Sequence, residues 1–99
     1  MKRFVLTRAA KVDLADIAHH IRSESPAAAL RVVGELRKAI HRLAGSPHLG
    51  HLREDLADEP LRFWPVYSYL IIYDPQSRPI QVLRILHGAR DVRALMDED

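Results

Sequence analysis

The dipeptide Ser25-Pro26 constrains this chain more than any other feature, because it starts a second helix only three residues after a first one should stop. Serine at an N-cap accepts a hydrogen bond from an orphan backbone N–H. Proline at the first helical position loses nothing by lacking its own. Behind this start, Ala29, Val33, Leu36, Ile40 and Leu43 alternate spacings of four and three, one apolar stripe of an amphipathic helix. Gly45-Ser46-Pro47 ends the pattern. Ahead of Ser25, Thr7 occupies an N-cap position, and Ala10, Leu14, Ile17 and Ile21 form a matching stripe. Asp13, Asp16, His20 and Arg22 lie off it. The spacing predicts helices over residues 8 to 22 and 26 to 44, joined as an antiparallel hairpin with an apolar face to cover.

The rest of the chain supplies that cover. Arg3 to Leu6 reads as a short strand. Leu61 to Val66, Ser68 to Tyr73 and Ile80 to Leu86 read as three more, rich in aromatic and β-branched residues. Asp74-Pro75-Gln76-Ser77-Arg78-Pro79 is the turn between the last two, and Pro65 places its strand at an edge or a bulge. Ser46 to Pro60, with two prolines, a glycine and four acids, reads mostly as loop. Gly88 to Met96 reads as a short helix or turn, and the acidic tail 97–99 as frayed. The expected class is α+β, order β-α-α-β-β-β, a helical hairpin packed on a small antiparallel sheet. Ninety-nine residues suffice for one domain, taken as residues 1–99.

Composition narrows the functional classes. A chain 47% hydrophobic and 28% charged is that of a soluble globular protein. Its longest apolar run, Tyr69 to Tyr73, is too short to span a membrane. The three apolar residues after Lys2-Arg3 are too few for a secretory leader. With zero cysteines, disulfides and thiol chemistry are excluded, and a cytoplasmic location is expected. Apart from the three terminal acids, fifteen bases face ten acids, and twelve of the bases are arginine. Such a body suits an anionic partner, either nucleic acid or an acidic peptide.

No phosphate loop, dinucleotide fingerprint or nucleophile elbow is present. Six histidines invite a metal reading, but adjacent His19 and His20 point about 100° apart on a helix. No thiolate or His-Glu-x-x-His supports a site, so neither metal nor cofactor is expected. Asp13 and Asp16 share a helical face, where Arg8, Lys11 and His20 make an exposed ion-pair surface the simpler reading. Helix two carries Arg31, Arg37, Lys38 and Arg42 opposite its apolar stripe, without interleaved aromatics. The most informative run is Ile85-Leu86-His87-Gly88-Ala89-Arg90-Asp91. With Arg62 and Arg84 on strands of the same small sheet, it forms either an anion-binding cleft or a hydrogen-bonded strand end with a capped helix. Residue types alone leave both open.

Taken together, five segments resemble the RelE/ParE superfamily of type II toxin–antitoxin toxins, and within it the ParE-like, plasmid-stabilisation branch. They are Ala10-x-x-Asp13-Leu14-x-x-Ile17, Ser25-Pro26-x-Ala28-Ala29-x-x-Val32, Leu43-x-x-x-Pro47-x-x-Gly50, Arg62-x-x-x-Val66-x-x-Tyr69-x-Ile71-x-Tyr73, and His87-Gly88-Ala89-Arg90-Asp91. The resemblance implies a growth-arresting toxin held in a hetero-oligomer by a cognate antitoxin. ParE-type members are associated with poisoning DNA gyrase, RelE-type members with ribosome-dependent cleavage of mRNA. A nuclease needs a base, an acid and donors for the phosphorane charge. Lys38 is the sole central lysine and no tyrosine follows Tyr73. The expectation is therefore a gyrase-binding toxin without catalytic residues. If it is a nuclease, His87, Arg62, Arg84 and Arg53 are the reduced set. A non-toxic interaction module of the same fold is the third reading. The expected target or antitoxin contacts are Arg31, Lys38, Arg42, Arg62, Tyr73, Arg84, His87, Arg90 and Arg93, spread over the exposed sheet, helix two and the chain end.

Overall fold

The computed structural model describes residues 3–53 and 60–88. In chain order these form β1 (Phe4–Leu6), α1 (Arg8–Arg22), α2 (Pro26–Gly45), β2 (His51–Leu52), β3 (Arg62–Val66), β4 (Tyr69–Asp74) and β5 (Ile80–His87). Both helices start where the caps predicted. Thr7 Oγ1 accepts from Ala10 N–H and Ser25 Oγ from Ala28 N–H. The expected short helix or turn from Gly88 to Met96 lies, Gly88 apart, outside the described residues, as does the tail.

The five strands form one sheet in the order β1-β5-β4-β3-β2. Its centre is the expected antiparallel meander β3-β4-β5, to which β1 adds in parallel beside β5, so the sheet is mixed. The two-residue β2, within the segment read as loop, pairs only with Arg62 and Phe63. Pro65 thus lies on the part of β3 beyond its reach. A two-residue turn carries Tyr67 at φ +54 between β3 and β4.

The helical stripes pack on one face of the sheet. Leu14, Ile17, Leu36, Ile40 and Leu43 meet Ile71, Tyr73, Val82 and Ile85, all nearly or wholly buried. Truncating such a leucine to alanine removes about 2–5 kcal/mol. Alternate residues of the strands form a second cluster of Leu61, Phe63, Leu70 and Ile72 on the opposite face. Phe63 and Ile72 are 2% and 0% exposed. The sheet therefore does not present the bare face expected as an antitoxin surface.

Candidate functional site

Between Ile72 and Tyr73 the β4–β5 register shifts: Tyr73 pairs with Val82 and Ile72 with Arg84, leaving Leu83 over. A bulge of this kind bends a strand and re-aims its side chains. The start of α1 clamps it. Thr7 N–H donates to the Val82 carbonyl at 3.0 Å, and Thr7 Oγ1 to the Leu83 carbonyl at 2.8 Å. Asp13 Oδ2 accepts from Arg84 Nε at 2.7 Å and from Ile85 N–H at 2.9 Å, while Oδ1 accepts from Arg84 Nη2 at 3.0 Å. Asp13 is thus not part of a surface ion-pair network with Arg8 and Lys11. Its side chain is only 12% exposed, and it forks with an arginine 71 residues away.

Arg62 has a second structural task. Its Nη1 donates to the carbonyls of Gly50 at 2.7 Å and His48 at 3.3 Å. Tyr73, opposite Arg62 on β4, completes the lock: its hydroxyl donates to the Pro47 carbonyl at 2.6 Å and accepts from Gly50 N–H at 2.8 Å. Burial pushes the Tyr73 phenol above the ordinary tyrosine pKa, against the smaller lowering effects of the Gly50 N–H and the Arg62 charge. Gly50 is required here by proximity, since a Cβ on it would sit 2.5 Å from the Tyr73 oxygen. Tyr73 has no exposed surface. Its place among the expected contact residues is corrected: it holds the 47–50 loop to the sheet.

Of the two readings left open for Arg62, Arg84 and His87, a single anion cleft is therefore not assembled among the described residues. The two arginines are turned to different internal partners. His87 stands apart, opposite Tyr69, with their rings edge to face at 5.1 Å. Gly88, at φ +74, turns the chain there and donates its N–H to the Ser68 carbonyl at 2.6 Å. Between this strand end and α1 lies a cleft of about 350 Å³ lined by Asp16, Ile17, His20, Tyr69 and His87. It offers two solvent-accessible imidazoles and a carboxylate over an apolar floor.

Arg31, Lys38 and Arg42 are exposed on α2, as expected from their position opposite the stripe. Lys38 pairs with Glu35 at 3.3 Å, and the Arg42 guanidinium stands 5.7 Å from the Trp64 ring centre. Sequence reading weighed His51 only as a metal ligand and missed its pairing with Trp64, their rings parallel within 9° at 6.0 Å. No local pattern marks them, because β3 and β2 meet only through long-range pairing. Arg53 is half-buried just beyond β2, and Arg90 and Arg93 lie outside the described residues. Among the described residues no three His, Asp or Glu side chains gather closely enough to hold a metal ion, and no helix is long and apolar enough to cross a membrane.

Comparison with known proteins adds to this geometry. The family described as ParE toxin of the type II toxin-antitoxin system parDE matches residues 4–92. Among solved structures, a chain described as "Chromosomal ParDE TA system from P. aeruginosa" superposes with a TM-score of 0.73 at 24% identity, covering 89% of this chain and 97% of that one. At that identity the likeness concerns the fold. Curated proteins gave no match. The family match spans nearly the whole described domain, from β1 past the end of β5, and the chain belongs to the ParE toxin family, the toxins of type II toxin–antitoxin systems.

Proposed function

We propose that this ParE-family toxin arrests growth in the cytoplasm by binding and poisoning DNA gyrase, and that a cognate antitoxin neutralises it in a hetero-oligomer. The observation that carries the reading is the engagement of Arg62 and Arg84 inside the fold. A ribonuclease built on this sheet would need them as donors to the phosphorane oxygens. With one forked on Asp13 and the other on loop carbonyls, the outward cationic groups on α2, Arg31, Lys38 and Arg42 among them, suit binding rather than proton transfer. An antitoxin segment that folds as it binds would cover such a surface together with His87, Arg90 and Arg93.

The second reading, ribosome-dependent mRNA cleavage, rests on His87 and His20 lining one cleft. The two readings separate cleanly in cells. Expression of the toxin alone should arrest growth, with filamentation, DNA-damage induction and intact transcripts, and co-expression of the adjacent gene should restore it. His87→Gln should remain toxic. Rapid codon-phased mRNA cleavage, lost by about 10²–10⁴-fold in His87→Ala, would replace gyrase by the ribosome as target. Normal growth at high soluble expression would make the chain a non-toxic interaction module.

A further inference from the structure

The basic face of α2 gains an aromatic neighbour only in the folded chain. Trp64 projects from β3 beneath α2, and Arg42 stands 5.7 Å from its ring centre. His51, from β2, lays its ring parallel to the indole at 6.0 Å. Parallel rings at that separation overlap incompletely, and Trp64 stays half-buried rather than enclosed. Lys38, one turn ahead of Arg42, joins Arg42, Trp64 and Pro65 around a cleft of about 270 Å³. Its ammonium is highly exposed, with the Glu35 carboxylate beside it. Two cations flanking a partly open aromatic shelf is the composition of a site for an unpaired nucleic-acid strand, where a base stacks and its phosphates are neutralised.

We propose that the Lys38–Arg42–Trp64–His51 cluster binds a single-stranded polynucleotide, with one base against the Trp64–His51 shelf and flanking phosphates on Arg42 and Lys38. A duplex fits less well, because its bases are already stacked and its phosphates alone would meet the cations. An acidic peptide would use the cations but gain nothing from a parallel aromatic pair. Glu35 is the restraint built into the site, since it competes with phosphate for Lys38. Lys38 and Arg42 also belong to the cationic face proposed above for a protein partner, so a strand and that partner would compete for it; strand binding by the isolated toxin is measured without gyrase, and its failure leaves the growth-arrest test untouched.

Trp64 is the chain's one tryptophan, so its fluorescence reports the site directly. The full-length toxin is titrated at low salt with oligodeoxyuridylate and oligouridylate of about 12 nucleotides, a typical length for such sites. A duplex of equal length and polyglutamate are the controls. Saturable quenching by a single strand is expected, and the tighter of the two strands identifies the sugar. Arg42→Gln and Lys38→Gln, both surface changes, should each reduce the slope of log affinity against log salt by about 0.7. Glu35→Gln should tighten binding. With a labelled strand read by anisotropy, Trp64→Leu should weaken binding by roughly 5- to 100-fold and Trp64→Phe by much less. Absence of quenching, equal affinity for duplex or polyglutamate, or indifference to Arg42→Gln, Lys38→Gln and Glu35→Gln together would overturn the proposal.

Discussion

Arg84 and Arg42 are the same residue type in two settings, and the fold treats them differently. Arg84 is partly buried between β5 and α1, where Asp13 takes both its Nε and its Nη2 and uses a remaining lone pair on the Ile85 N–H. Arg42 sits on the exposed flank of α2 over Trp64, without a carboxylate of its own among the described residues. A partly buried charge must be paired to be tolerated, so the inner arginine serves the fold. An outer charge in water is weakly held and free to meet a ligand. Tyr73 and Lys38 repeat the contrast: the phenol is bonded on both sides to the 47–50 loop, whereas the exposed ammonium has only a partly exposed Glu35 at 3.3 Å.

Removing Asp13 should give the largest effect. Asp13→Ala leaves Arg84 and the Ile85 N–H without their carboxylate, and a loss of about 2–4 kcal/mol is expected by denaturant unfolding. A loss no greater than that of a surface residue would erase the distinction between inner and outer charges. Tyr73→Phe should come next, at about 1–3 kcal/mol, because it leaves the Pro47 carbonyl and the Gly50 N–H unpaired. The same variant tests the pH dependence. The fold favours the protonated phenol, so its contribution is complete well below about pH 10, where the unfolded chain's tyrosine is half ionised. It declines as pH rises from there toward the higher folded pKa, and Tyr73→Phe should show a shallower alkaline loss of stability than the parent. Lys38→Ala should be the smallest, within about 0.5 kcal/mol, since an exposed ion pair contributes little. A substantial destabilisation there would mean that the outer face, too, is built for the fold.

Much of the fold was legible because helix signals are local. The Thr7 and Ser25 caps and the stripes through Leu14 and Leu36 each lie within a few residues of chain, and the helices begin where those signals put them. The strand edges moved by about one residue, as Tyr69–Asp74 for the expected Ser68 to Tyr73 shows. β2 escaped notice because two residues, His51 and Leu52, leave no periodicity to read. The site was less legible. Arg62, Arg84 and His87 were rightly placed on or at the ends of strands. That common placement suggested convergence, and residue type does not say which internal oxygen a guanidinium will find.

The sequence by itself determined the helical hairpin, the meander, their order along the chain and the pattern of residues that resembles the ParE toxins. Each of these rests on spacing and capping between near neighbours, which act before any distant contact forms. Only the tertiary structure decided the parallel docking of β1 on β5, the bulge clamped by Thr7 and Asp13, the Tyr73 lock, and the meeting of Arg42 with Trp64. Asp13 and Arg84 are 71 residues apart, and Tyr73 and Pro47 are 26 apart. Which partner a polar group takes over such separations depends on what burial has left within its reach, and that is settled only when helices and sheet have packed.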